Sequence, residues 1–319
     1  MAVRPFPTVQ AAELATAAPE ARWLVRELWT RTGVGIIGGQ PKLGKSWLAL
    51  DIAISVASGT PCLDQYPVDA TGPVLIFLAE DPEPDLRGRL DALCAHRRLA
   101  LSALPLQVLR VPVLRLDEAG HLERLAATIE LVQPRLVVLD PLIRLHRLDE
   151  NASADMARLL GALRELQRRF DVAVVLVHHA SKRSRQRPGQ ALRGSSDLHA
   201  FVDCLLYLAR ERDVLRLHLE HRSVASPESV ELRLVKGDAP HLALVATPTS
   251  DAPAAPLSQR VLDSLRVATC PMRRKDLRAV LRVNNQRLGE ALAHLERQGQ
   301  ICRTDDGFAL ADRPTGRLL

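Results

Sequence analysis

No apolar run in the 319 residues reaches the roughly 18 that a membrane helix requires. Met1 to Glu20 mixes proline, alanine and acids and lacks the basic-then-apolar order of a leader. The expectation is a protein with no membrane association and a cytoplasmic location. Cysteine is scarce: Cys62, Cys94, Cys204, Cys270 and Cys302 stand far apart, and no C-x-x-C pair offers the spacing of a zinc site or a redox motif. That usage suits a reducing compartment. Lysine is scarce too, with five among 43 basic residues, so the net charge of +6 rests on 38 arginines. Arginine can fork to phosphates, stack on bases or sit on a solvated surface, so the basic balance alone assigns no nucleic acid. There is no internal repeat. What is present, 47% hydrophobic and 25% charged residues, suffices for one large and one small domain and excludes a disordered chain.

Three short apolar runs, Val34 to Ile37, Val74 to Ala79 and Arg135 to Asp140, alternate with helical patterns. A fourth, Val172 to Val177, follows the amphipathic stretch Ala152 to Phe170, whose Leu159, Leu160, Leu163 and Leu166 recur at helical spacing. This alternation predicts an α/β fold with a mainly parallel sheet and crossover helices. After Ala200 the segments Cys204 to Leu208, Val214 to Leu219, Ser229 to Val235 and Leu242 to Ala246 read as antiparallel strands extending that sheet. Ala246 to Leu257, ATPTSDAPAAPL, has neither period. The expected division is a large domain over 1–248 with an N-terminal arm over 1–21, a linker over 249–257 and a small domain over 258–319. The small domain shows three amphipathic helices, Gln259 to Ala268, Arg274 to Leu281 and Gln286 to Gln298, then a hairpin signal at Asp306-Gly307. Asn284 or Asn285 can cap the third helix and Gly299 can end it. Three helices and a hairpin make a winged-helix pattern.

The chemistry begins at Gly39-Gln40-Pro41-Lys42-Leu43-Gly44-Lys45-Ser46, followed by Trp47, which satisfies G-x-x-x-x-G-K-[ST] between a strand and a helix predicted over Lys45 to Ser58. Backbone N–H groups of such a loop wrap a phosphate, Lys45 reaches the β and γ oxygens, and Ser46 holds magnesium at a helix N-terminus of positive potential. ATP and Mg²⁺ are therefore the expected ligands. Asp140 ends an apolar strand where such proteins place the magnesium-side aspartate. Val74 to Ala79 ends in Glu80-Asp81 at the sheet edge that binds ligands, which fits Glu80 as general base; the competing use of these acids, a helix N-cap, suits Asp81 with Asp85 better. A fourth strand ends in His178-His179, a polar pair at the same edge, and His179 is the candidate sensor of the γ-phosphate.

The order GGQPKLGKS, LIFLAED, LVVLDPL, DENAS, VHHASK and RGSSDL resembles the RepA-type replicative helicases and related RecA-like ATPases of the AAA family over Trp23 to Val235. That resemblance implies rings, usually hexamers, with ATP between subunits and single-stranded DNA in the channel. It implies nucleotide and magnesium binding by Lys45 and Ser46, Glu80 as the catalytic carboxylate, Asp140 in the Walker B strand and His179 at the sensor position. A neighbouring subunit would supply an arginine; the phrase LHLEHRSVASPESVELRL resembles the hairpin that carries it, which favours Arg222, with Arg210 and Arg212 as rivals.

Ser181 to Arg193, SKRSRQRPGQALR, carries Lys182, Arg183, Arg185, Arg187 and Arg193 and lies where RecA-like rings place a DNA-binding loop. The other reading is a solvated loop or an oligomer contact. It lacks aromatics for base stacking, so DNA binding there would rest on phosphates and fall with salt. Arg144, His146 and Arg147 after Asp140 form a second candidate loop. From Ser258 to Leu319 twelve basic residues face seven acidic ones, and the third small-domain helix, with Arg287 near its start and Arg297, could meet a duplex groove or a protein. Phe308 is expected to pack the wing on the helices. The function expected is a nucleic-acid-dependent ring ATPase, a helicase or translocase in replication or repair. The alternatives are a DNA-binding regulatory ATPase whose nucleotide state controls assembly and, less favoured, a P-loop transferase.

Overall fold

The structure is a computed structural model. It describes residues 6–14, 22–149, 152–179, 201–211, 213–224, 226–245, 257–268, 270–281, 283, 285–304 and 306–311. Contacts between backbones divide the chain into two compact units, Met1–Val245 and Ala246–Leu319. Most of the expected N-terminal arm and of the linker lies outside the described residues. Within the arm, Ala11–Glu13 form a short exposed 3-10 turn.

The larger unit is built on a nine-stranded sheet. After a small hairpin of β1 (Trp23–Val25) and β2 (Trp29–Thr30) come β3 (Val34–Gly39), helix α1 (Lys45–Ser58), β4 (Val74–Leu78), α2 (Glu83–His96) and β5 (Leu106–Val108). Then follow α3 (Ala119–Val132), β6 (Leu136–Asp140), α4 (Ser153–Phe170) and β7 (Ala173–His179). The last four strands are β8 (Cys204–Glu211), β9 (Val214–His221), β10 (Val230–Val235) and β11 (His241–Leu244). The spatial order is β11-β10-β9-β8-β3-β7-β6-β4-β5. The strands from β5 across to β8 are mutually parallel, and β9, β10 and β11 continue antiparallel. One expectation is corrected here: the Cys204 strand joins β3 in parallel, Gly35 opposite Cys204, and only the strands after it reverse. The 24 residues 180–203 between β7 and β8 supply the length that a connection between parallel strands requires.

The apolar runs are continuous because the sheet is covered on both faces. Ile37, Ile76, Val138, Val175 and Leu206 face one core with α1 and α2. Val34, Ile36, Val137, Leu139, Leu176 and Leu205 face the other, closed by Leu125 and Ile129 of α3 and Leu159, Leu160, Leu163 and Leu166 of α4. Successive strand residues point to opposite layers, as the pleat dictates. β5 is only three residues long and shows no pattern in the sequence, whereas α2 buries Leu86, Leu90 and Leu93 and α3 buries Leu125, Ala126 and Ile129, each set at helical spacing. No helix among the described residues is long and apolar enough to cross a membrane.

The smaller unit has α5 (Leu257–Val267), α6 (Arg274–Leu281) and α7 (Asn285–Arg297), then β12 (Ile301–Thr304) paired with β13 (Gly307–Leu310). Helix α5 opens at Leu257, the last residue of the stretch read as linker. Val261, Leu262, Leu265, Leu277, Leu281, Leu288, Leu292, Leu295 and Ile301 form its core, and Phe308 packs against them while its backbone bridges Met272. On α6, Leu277 and Leu281 turn inward and Val280 is 61% exposed.

Candidate functional site

Parallel register brings the ends of four strands to one edge. Gly39 is opposite His179, and Asp140 is opposite Leu78, two residues before Glu80. Between β3 and α1 the chain must turn sharply beside β8. Gly39, at φ +145°, approaches so closely that a Cβ there would sit 2.4 Å from the Leu208 carbonyl oxygen. Gly44 takes the left-handed conformation, φ 88°, and begins α1 with no side chain capping the helix and no acid in its first turn. The N–H groups and the positive end of α1 are thus left for an anion.

Lys45 is 3% exposed, and its Nζ donates to the Gln40 carbonyl at 2.8 Å, across the loop that would hold the phosphate. Burial lowers its pKa to about 8, opposed by the charges of Asp140 and Glu80. Asp140 is 5% exposed. Burial pushes its carboxyl up to about 6, against a hydrogen bond from the Ser46 hydroxyl; Asp81 and Glu80 push it further up and Lys45 draws it down. A buried carboxylate beside a hydroxyl is an all-oxygen donor set of the kind Mg²⁺ takes.

Glu80 stands exposed on the loop after β4. One carboxylate oxygen accepts from Arg144 Nε at 2.8 Å, and the other lies 3.9 Å from His179 Nε2. Burial and then Lys45 lower the His179 pKa, with Glu80 opposing. His178 is pushed down to about 4 by burial, by His179, by Lys45 and by His146. Both rings are therefore neutral at physiological pH and act as dipoles.

Asp81 does not cap the next helix: α2 starts at Glu83 with Pro82 in the cap position. Asp81 instead accepts two hydrogen bonds from Arg89, at 2.6 and 3.1 Å, and the Arg89 guanidinium lies 5.8 Å from the centre of the Trp47 ring on α1. Arg89 is the residue of this edge that sequence reading missed. Its place depends on α2 folding back over α1, for which a helical arginine gives no signal. In the second candidate loop His146 is 3% exposed, so it is unavailable to a strand of nucleic acid, because the loop folds it into the core; Arg144 and Arg147 are exposed.

Arg222 is exposed at the end of β9. Since β9 is antiparallel, with His221 opposite Cys204, it lies at the edge opposite the phosphate loop. Arg210, near the end of β8 and opposite Leu215, is exposed at the phosphate-side edge. Arg212, Lys182, Arg183, Arg185, Arg187 and Arg193 lie outside the described residues. Arg287 falls within α7, with its side chain outside them. A cleft of about 710 Å³ lined by Gly72, Glu130, Arg135 and Asp171 sits at the N-terminal edge of the strands, away from this chemistry.

A family model described as an AAA domain matches residues 3–185. Among solved structures, one titled as a DnaB-like replicative helicase and its interactions with primase aligns with a TM-score of 0.51 and 16% identity, over 67% of this chain and 57% of that one. The chain thus spans little more than half the length of that structure, and the likeness is one of fold: a RecA-like core of mostly parallel sheet with antiparallel additions.

Proposed function

Since the chain belongs to the AAA-domain family matched over residues 3–185, we propose that it hydrolyses ATP and does so as a nucleic-acid-dependent ring ATPase, a DNA helicase or translocase of replication or repair. The observation that carries the reading is the meeting of Lys45, Ser46, Asp140, Glu80 and His179 at one sheet edge, around a phosphate-shaped turn. Residues 39–47 bind the nucleotide, Trp47 from the first turn of α1. Lys45 exchanges its bond to the Gln40 carbonyl for phosphate oxygens, which restores a fully charged ammonium. Ser46 and Asp140 hold Mg²⁺, which when bound neutralises phosphate charge. Glu80 takes the proton of the attacking water. His179, neutral and within reach of Glu80, is positioned to register the γ-phosphate.

Dependence on nucleic acid has a physical basis in the Arg144 pair. A carboxylate held by a guanidinium is a poorer base, and Arg144 belongs to a loop offered above for phosphate contact. The pair is largely exposed, so it is weak, on the order of 0–1 kcal/mol. A nucleic-acid phosphate competing for Arg144 would release Glu80. The basic stretch with Lys182, Arg183, Arg185, Arg187 and Arg193 is the other strand-binding element, and the smaller unit, read as a winged helix, brings Arg287 to duplex DNA. Charge at the transition state is completed by an arginine of a neighbouring subunit in a homo-oligomer, read as a hexameric ring. Arg222 is the first candidate, and Arg210 is the rival that stays at the phosphate edge of its own subunit.

The test is steady-state ATP hydrolysis with and without single-stranded DNA. Stimulation by DNA that disappears in Glu80→Gln is the expected result. A slow rate indifferent to DNA would instead favour a nucleotide-switched regulator that binds DNA without unwinding it.

A further inference from the structure

Away from the phosphate edge, three chain segments that are distant in sequence converge. Asp64 lies in the turn after α1, His96 is the last residue of α2, and His241 opens the edge strand β11. One ligand-type atom from each lies within 4.8 Å of the other two, the only such trio among the described residues. His96 Nε2 is 2.8 Å from Asp64 Oδ2, and the two imidazoles stack with centroids 3.5 Å apart.

We propose that Asp64, His96 and His241 form a binding site for a divalent transition metal of the Zn²⁺ class, which staples the edge strand β11 to the end of α2. Two imidazoles and one carboxylate are a donor set suited to Zn²⁺, with a fourth position left to water. The tautomer needed is already fixed at one ligand: His241 Nδ1 donates to the Ala239 carbonyl at 2.8 Å and leaves Nε2 for the ion. His96 occupies the negative end of a helix dipole, which favours a cation.

The scaffold behind the trio is buried and holds two of the ligands in register. Asp51 of α1 is 1% exposed, accepts from the Leu63 backbone N–H at 2.9 Å and pairs with Arg97 at 2.7 Å. It therefore fixes the immediate neighbours of Asp64 and of His96 from one carboxylate. Arg97, the C-cap residue of α2 next to His96, gives its charge to this pairing. The third ligand adjoins Leu242, whose Cδ2 would lie 3.4 Å from a Cβ on Gly44. An ion at His241 would thus steady the strand that lies beneath the phosphate loop. Spread over residues 64, 96 and 241, the site has no sequence spacing that would reveal it.

The test uses the full chain, free of nucleotide, in millimolar Mg²⁺ to occupy hard-cation sites. It is titrated with Co²⁺ under visible absorption and with Zn²⁺ by calorimetry. The expected result is one ion per chain with tetrahedral cobalt bands and a raised melting temperature. His96→Asn and His241→Gln, with unchanged circular dichroism, should each weaken binding at least a hundredfold. If those variants fail to fold, paramagnetically shifted imidazole N–H resonances in the cobalt-loaded wild-type chain decide, since two histidine ligands are required. No binding by the wild-type chain, unchanged affinity in folded variants, or no shifted imidazole resonance would overturn the site and leave an ion pair beside a stacked ring.

Discussion

At the scale of single residues the phosphate edge is held out of electrostatic balance. Asp140 shows the sign. Its carboxyl sits near 6 in the native chain against 3.8 ordinarily, so between about pH 4 and 6 the native state holds a proton that the unfolded state has lost. Stability therefore falls as pH rises through that window, and the whole cost is present above pH 6. Asp140→Asn should stabilise the nucleotide-free protein by on the order of 2 kcal/mol at pH 7.5, shrinking towards zero at pH 4, by urea denaturation. A gain independent of pH would mean that the carboxylate is not strained by burial. Arg144 gives a second prediction. Arg144→Ala frees Glu80 from its 2.8 Å partner. Basal hydrolysis without DNA should rise roughly fivefold, the equivalent of about 1 kcal/mol, while stimulation by DNA shrinks. An unchanged basal rate would remove Arg144 from the control of Glu80.

Elements depend on buried polar anchors as well as apolar stripes. The Asp51–Arg97 pair joins α1, the turn after it and the end of α2, with side chains 1% and 3% exposed. Replacing Asp51 by alanine leaves the Arg97 charge and the Leu63 N–H without this acceptor. The expected loss is about 3–5 kcal/mol in chemical denaturation, well above that of an exposed pair. A loss under 1 kcal/mol would show that water relaxes into the gap. The elements legible in the sequence were those with strong periodicity, a bounded apolar run or a turn motif: β3, α1, β4, β6, α4, β7, β9 to β11, and the three helices and hairpin of the smaller unit. β5 was missed, too short to show a pattern, and α2 and α3 were expected only as helical patterns between strands, without bounds. The direction of β8 was misread because an alternating run carries no information on which neighbour it will join.

At the scale of the whole molecule, the proposed site is shared between chains. The Lys45→Ala chain and a chain lacking the neighbour's arginine should each be inactive, yet mixing them should restore part of the activity, since some interfaces then join an intact phosphate loop to an intact arginine. Arg222→Ala and Arg210→Ala, each mixed with Lys45→Ala and assayed for ATP turnover, identify which one it is. Recovery with neither would place the finger elsewhere or the active unit within one chain.

The sequence by itself determined the glycine-rich turn between β3 and α1, because glycine at tight φ angles, lysine and serine at fixed offsets have few other uses. It also determined which strand ends carry acids and histidines, since a parallel sheet puts every C-terminal end on one edge. The tertiary structure alone decided that Arg144 reaches Glu80, that Arg89 holds Asp81, that His146 is buried and that Asp64, His96 and His241 meet. Those contacts join residues up to 177 positions apart, and hydrophobic periodicity specifies which face of an element is buried, not which polar side chains will stand opposite one another when faces close.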